Sequence, residues 1–276
     1  MNKTPTKKQL NTLLEYYQHG RFDEAKKVAE LITKEFPNHY FGWKVLGVVL
    51  KEMDRINEAL VAMKKSLELE PKDSESHNNL GVMLKDLGKL SEAIQTYKTA
   101  IKIQPNHAYA YRNLGNAYKE IGDFKKAEEA YTNSFIYQPT NLETLDTLCT
   151  LNKSKLNQNL LKKIKNIMKN ENLSQKDYAY GKFLLAKYAL KNDDYEQEFN
   201  YLLEGHKNYF NHKKIYFQKG LDYWLKDVLQ QKELMILGKN NKKFSEMKPI
   251  FIVGVPRCGS TLIEKVIASG PLSIPI

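Results

Sequence analysis

Residues 249–271 hold the side chains and glycines best suited to chemistry. Ile250 to Val253 is a short apolar run of the kind found in a buried parallel strand. Gly254 to Thr261 is a turn with two glycines and a proline. From Leu262 to Ser269 the pattern is helical, with Leu262, Ile263, Val266 and Ile267 on one side and Glu264 and Lys265 on the other. A strand, a glycine turn and a helix start together make an anion cradle. Glycine lets the backbone approach a phosphate closely, and the unpaired N–H groups of the first helical turn point at it. Arg257 adds a charge suited to phosphate or sulfate oxygens. The spacing from Gly254 to Gly259-Ser260-Thr261 nearly fits the pattern G-x-x-x-x-G-K-[ST], but Ser260 stands in the lysine place. That lysine reaches the terminal phosphates of a nucleoside triphosphate, so its absence argues against an ATPase or GTPase.

The run FIVGVPRCGSTLIEKVIAS resembles the opening segment of the sulfotransferases, specifically those with tetratricopeptide repeats in front. The resemblance implies that Gly259, Ser260 and Thr261 hold the 5′-phosphosulfate of 3′-phosphoadenosine 5′-phosphosulfate. It also implies that Arg257 faces the anion and that Cys258 takes a place usually held by serine. The donor is then a substrate of the completed domain. That family continues into a loop whose acidic residue acts as base on the acceptor hydroxyl. Here Gly270-Pro271 is followed only by Leu272 to Ile276, so no catalytic residue is carried over and the segment is expected to be a truncated start of the domain.

These motifs need something to position them, and the preceding residues read as scaffold. The chain has 276 residues, 42% of them hydrophobic and 27% charged, with 14 glycines and 9 prolines, which suits a helical protein. The net charge of +11 comes mostly from lysines. It is read as a solvated surface, because no arginine-rich arm or aromatic-studded basic strand supports nucleic-acid binding. Cys149 and Cys258 form no metal-ligand pattern and fit a reduced cytosol. The start MNKTPTKKQL has no apolar core and no window is apolar enough to span a bilayer, so a cytoplasmic location is expected.

A period of 34 runs through residues 6–141. Gly47, Gly81 and Gly115 follow it, as do Leu46, Leu80 and Leu114, Ala25, Ala59, Ala93 and Ala127, and Pro37, Pro71, Pro105 and Pro139. This resembles the tetratricopeptide repeat, in which two helices per repeat stack into a solenoid. The glycines and alanines let paired helices approach, and the prolines end each second helix. Gly20, Asp54, Gly88 and Gly122 mark the turns within pairs. Helix pairs are expected at 6–18 with 22–35, 40–53 with 56–69, 74–87 with 90–103, and 108–121 with 124–137. Residues 142–237 read as degenerate repeats, at 142–152 with 156–170 and 176–191 with 195–209, followed by a capping helix over 212–237. A polar linker at 238–248 leads to the incomplete domain at 249–276.

The first helix of each pair is expected to line the inner groove. Lys51, Lys85 and Lys119 form one column there, and Val45, Asn79 and Asn113 a neighbouring one, with Asn116 one turn on. Asparagine amides can pair with the backbone of an extended peptide, and stacked lysines would favour an acidic one. His77 shares a column with Trp43 and Tyr111 and is read as a packing residue. The expected fold is therefore mainly α, a tetratricopeptide-repeat solenoid ending in an α/β fragment. The expected function is the front part of a sulfotransferase acting on a hydroxyl such as a protein tyrosine. The alternative is a non-catalytic adaptor that binds a protein or peptide, with a vestigial cofactor loop.

Overall fold

The turns explain the fold's regularity. Four of them repeat one hydrogen bond, from the amide two residues beyond the cap back to the carbonyl five residues earlier. The bonds are Arg21 to Tyr16, Arg55 to Leu50, Lys89 to Leu84 and Asp123 to Tyr118, each 2.9 Å. This is a Schellman closure, and it needs a left-handed residue just before the donor. Gly20, Gly88 and Gly122 supply it with φ of 68°, 74° and 81°, and Asp54 does so at 61°. A fifth turn of the same kind, Asp194 to Ala189 at 3.0 Å, has Asp193 at φ 57°.

The computed structural model describes the backbone of residues 4–223, with side chains through Lys214. Helices α1 Lys7–Gln18, α2 Phe22–Glu35, α3 Tyr40–Glu52, α4 Ile56–Leu69, α5 Ser74–Asp86, α6 Leu90–Ile103, α7 Ala108–Glu120 and α8 Phe124–Tyr137 form four successive pairs. Then come α9 Leu142–Leu151, a 3-10 turn Lys153–Lys155, α10 Gln158–Ile167, α11 Gln175–Lys191 and α12 Tyr195–Tyr223. Several helix starts carry a side-chain cap, whereas those of α2 to α6 carry none. The Gln9 amide donates to Thr6 Oγ1 (3.2 Å) while the Thr6 amide donates to Gln9 Oε1 (2.9 Å), a reciprocal capping box. Asp123, Asn141, Asn157 and Ser174 accept at their side chains from the amides of Lys126, Thr144, Leu160 and Asp177.

The chain divides into two compact units, Met1–Glu171 and Asn172 onward. In the first, each second helix packs on the first helix of the next pair, α2 on α3, α4 on α5, α6 on α7 and α8 on α9. Ala25, Ala29, Ile32, Val49, Ala59 and Met63 are fully buried in one core cluster. The close approach within pairs depends on glycine. A Cβ at Gly81 would lie 2.5 Å from Tyr97, one at Gly115 2.9 Å from Tyr131, and one at Gly47 3.1 Å from the Ala59 carbonyl. Cys149 is buried. In the second unit α11 pairs with α12, and Gly205 admits Phe183 (2.5 Å from a Cβ built there).

Two expectations are corrected. The fifth pair is interrupted by the 3-10 turn, where Ser154 donates to Asn152 Oδ1 (2.6 Å), so its second helix begins at Gln158 rather than 156. No separate helix starts at 212, because α12 runs unbroken from Tyr195 to Tyr223. Its sequence across Asn208 to Lys214 contains no proline or glycine to end it. The rest of the expected capping helix, the linker 238–248, the strand over 250–254, and Arg257, Cys258, Gly259, Ser260 and Thr261 lie outside the described residues.

A candidate peptide groove on the first helices

Successive first helices touch one another, α3 with α5 and α5 with α7, so their faces form the inner side of the array. The buried alanines and glycines behind them set that spacing. The polar residues on this face fall into three groups.

The first group links repeats. Lys44 on α3 is buried, with Nζ 2.8 Å from Glu75 Oε2 and 3.1 Å from Asp73 Oδ2, both beyond the next turn. Two repeats on, Arg112 Nη1 on α7 lies 2.7 Å from Glu143 Oε2 on α9. Lys44 and Arg112 stand two periods apart in one column, with Asn78 between them. Buried Asn78 accepts at Oδ1 from Asn113 Nδ2 (2.9 Å). Burial alone would lower the Lys44 ammonium pKa and raise that of Asp73. The bond and charge of Glu75 leave Lys44 raised, while the Ser76 hydroxyl and Lys44 leave Asp73 lowered.

The second group is the lysine column. Lys51 Nζ is 3.2 Å from Glu52, and Lys85 Nζ is 3.3 Å from Asp86 and 3.7 Å from Glu120. Lys119 is exposed. Two of the three charges are thus held by neighbouring carboxylates at half-buried sites.

The third group is the amides. Val45 is buried in the core and presents nothing to a ligand. Asn79 is half-buried and makes no side-chain hydrogen bond among the described residues. Asn113 uses its Nδ2 on Asn78 and keeps Oδ1. Asn116 Oδ1 accepts from the Tyr131 hydroxyl (2.6 Å) and keeps its Nδ2. Burial pushes the Tyr131 phenol up to about 12, with Arg112 opposing. Tyr97, one period earlier, is fully buried against Gly81 with its hydroxyl lacking a partner. Val82 occupies the place that Asn116 fills in the next repeat. Burial raises the Tyr97 phenol above its usual range.

Lys44, Asn78, Arg112 and their carboxylate partners were not among the sequence-derived site residues. The 34-residue column was a visible signal for the cations. Their glutamate partners, Glu75 and Glu143, lie 31 residues on and also stand two periods apart, but the pairing itself, with Asp73 added at 29 residues, needed the packed geometry. His77 does more than pack. Its Nε2 hydrogen-bonds the Pro71 carbonyl (3.0 Å), as Trp43 Nε1 donates to that of Pro37 (2.8 Å). Tyr111, third in that column, stacks on Tyr137 at 5.6 Å instead. Among the described residues no group of three His, Cys, Asp or Glu could hold a metal, and no helix is long and apolar enough to cross a membrane.

Four family models match the regular part of the chain. Three are described as tetratricopeptide repeat, over residues 44–73, 62–95 and 108–141, and one as TPR repeat, over 83–122. No curated protein matches the chain. Among solved structures, Pseudomonas aeruginosa PilF is 17% identical over 70% of this chain and 86% of its own, with TM-score 0.57. PilW, a type IV pilus biogenesis factor, is 20% identical over 70% and 88%, with TM-score 0.53. MamA is 23% identical over 65% and 95%, with TM-score 0.48. At these identities PilF and PilW speak to the fold alone. With the turn chemistry and the helix pairs, the matches make residues 44–141 an array of tetratricopeptide repeats.

Proposed function

We propose that this chain is a protein-interaction module whose groove on α3, α5 and α7 takes an extended segment of another protein. The supporting observation is the set of open amide valences on that face. Asn79 is unbonded among the described residues, and Asn113 and Asn116 each retain one polar group. Amides with both donor and acceptor character satisfy a peptide backbone whatever its side chains. The ion pairs of Lys51 and Lys85 reduce the attraction that column would have for acidic residues. Preference for an acidic peptide therefore falls mainly to Lys119 and is modest. A fluorescence-anisotropy titration with acidic and neutral peptides of equal length tests this. Binding within a few-fold for both, lost in the Asn79→Ala/Asn113→Ala variant, supports the groove. Failure of both to bind sinks it.

A second reading rests on residues 249–271. Gly259, Ser260 and Thr261 with Arg257 would cradle the 5′ end of phosphoadenosine phosphosulfate, with Cys258 contributing its amide. The chain would then be the front of a sulfotransferase, acting on a hydroxyl that the repeats help deliver. Calorimetric titration with adenosine 3′,5′-bisphosphate discriminates. Binding abolished by Arg257→Ala favours the enzyme. Absence of binding leaves the interaction module.

A further inference from the structure

The regular second helices neutralise lysines of their own. Lys26, Lys65, Lys89 and Lys126 each pair with a carboxylate three or four residues away. The second helix of the fifth pair, α10, does not. From Thr147 to Asn170 the chain carries six lysines and no acidic residue. One of the six, Lys155, is held by Glu128 on α8 at 3.2 Å. Lys153, Lys162, Lys163, Lys165 and Lys169 are exposed and make no ion pair among the described residues. At about 100° per residue α10 divides into two faces, each an arc of about 120°. Leu160, Leu161, Ile164 and Ile167 share one, and Ile164 is fully buried. Gln158, Asn159, Lys162, Lys165 and Asn166 share the other, and all five are exposed. Lys163 stands at its edge, with Nζ 4.6 Å from the centre of the Phe135 ring, and Lys169 follows in the closing turn.

The composition of the exposed face selects its partner. Protein interfaces are anchored by aromatic residues and arginine and are poor in lysine, whereas this face offers only lysine, asparagine and glutamine. Nucleic-acid surfaces add aromatic rings for base stacking or arginine forks for phosphates, and the face has neither. A compact ammonium on a flexible stem suits anions spread diffusely over a plane. We infer that α10 and the turns flanking it dock on the anionic headgroup surface of a lipid bilayer. The contact is electrostatic and peripheral, because the apolar side of the helix is spent inside the fold and does not insert. Lys162 to Lys169 spans about 10 Å, so the lysines meet several headgroups at once. Each lysine held near such a surface strengthens binding about fivefold, and the attraction fades beyond about 10 Å at 0.1 M salt.

Co-sedimentation of the full chain with vesicles is the test. One set is pure phosphatidylcholine, and the other contains about 30% phosphatidylserine. The wild type is expected to bind the anionic vesicles at about 0.1 M salt, to release them at about 0.5 M, and to ignore the neutral ones. The triple variant Lys162→Gln/Lys165→Gln/Lys169→Gln is expected to lose about a hundredfold in affinity. All three sites are exposed, and far-UV circular dichroism checks that helicity is kept. A control, Lys27→Gln/Lys34→Gln/Lys64→Gln, removes the same charge from exposed sites on α2 and α4 and is expected to bind within a few-fold of the wild type. A wild type that fails to bind anionic vesicles, or binds neutral ones equally, overturns the proposal. Equal losses in the two triple variants overturn it as well, since net charge alone would then account for binding. Tighter binding to a short DNA duplex than to the vesicles, lost in the α10 variant, would reassign the face to nucleic acid. Peptide binding by the groove is read separately, because none of these residues lies on α3, α5 or α7.

Discussion

Tyr97 and Tyr131 offer a matched pair, and replacing each with phenylalanine is expected to act in opposite directions. Both rings are fully buried, and both lie against a glycine of the preceding helix. The difference is the hydroxyl. That of Tyr131 donates to Asn116 Oδ1 at 2.6 Å, while that of Tyr97 has no partner because Val82 stands in the equivalent place. Losing a buried, satisfied hydrogen bond costs about 0.5–1.5 kcal/mol, and leaving Asn116 partly unpaired adds to this. Removing a buried, unsatisfied hydroxyl returns about 1 kcal/mol or more of desolvation. Tyr131→Phe should therefore destabilise by about 1–2 kcal/mol, and Tyr97→Phe should be neutral to stabilising by about 1 kcal/mol. Urea unfolding followed by far-UV circular dichroism measures both. In a domain of this size each kcal/mol moves the thermal midpoint by about 2–4 °C, an independent check. Val82→Asn closes the cycle. It should stabilise the wild type by supplying an acceptor, and in that background Tyr97→Phe should become costly. Equal effects of the two Tyr→Phe changes, or no coupling between positions 82 and 97, would refute the reasoning.

Other outcomes follow from the same geometry. Gly81→Ala places a Cβ 2.5 Å from the Tyr97 ring and is expected to cost about 1–3 kcal/mol by overpacking, whereas Asp54→Gly relieves a left-handed aspartate and should stabilise by about 0.5–1 kcal/mol; chemical denaturation reads both. Lys44→Ala leaves Asp73 and Glu75 without their cation and should cost about 1–3 kcal/mol near neutral pH. The pH dependence has a definite sign. Asp73 has a lowered folded pKa, so its contribution is present above the ordinary aspartate value and fades as pH falls through the folded value. Lys44 is raised, so its contribution fades only as pH rises through its folded value, above the ordinary lysine range. The stability gap between wild type and Lys44→Ala should thus be widest around neutrality and close in acid, which unfolding curves across a pH series would show.

The helix pairs were legible because one turn recurs. The Schellman closure needs a left-handed residue every 34 positions, and Gly20, Asp54, Gly88 and Gly122 mark it in the bare sequence. Even the Asp193 turn was visible as an Asn-Asp-Asp cluster before Tyr195. The 3-10 turn at Lys153–Lys155 was not, since it depends on an Asn152 side chain bonding locally. Nor was the continuity of α12, because Phe210 and Asn211 carry no stop signal and the expected break was drawn from the pattern of pairs. The groove was half legible. The columns of Lys85 and Asn113 followed the period, but the charge state of that face did not. Glu120 reaches back to Lys85 from the next repeat, and Glu75 reaches back to Lys44, at offsets no single-helix pattern reports. Val45 shared a column with two asparagines yet turned into the core.

The claim that matters most is that the first helices form the binding face. Hydrogen exchange of the full chain with and without a saturating groove-binding peptide measures it directly. Protection should rise along α3, α5 and α7 and vanish from the difference map in the Asn79→Ala/Asn113→Ala variant. Protection confined to the second helices α4, α6 and α8 would contradict the account.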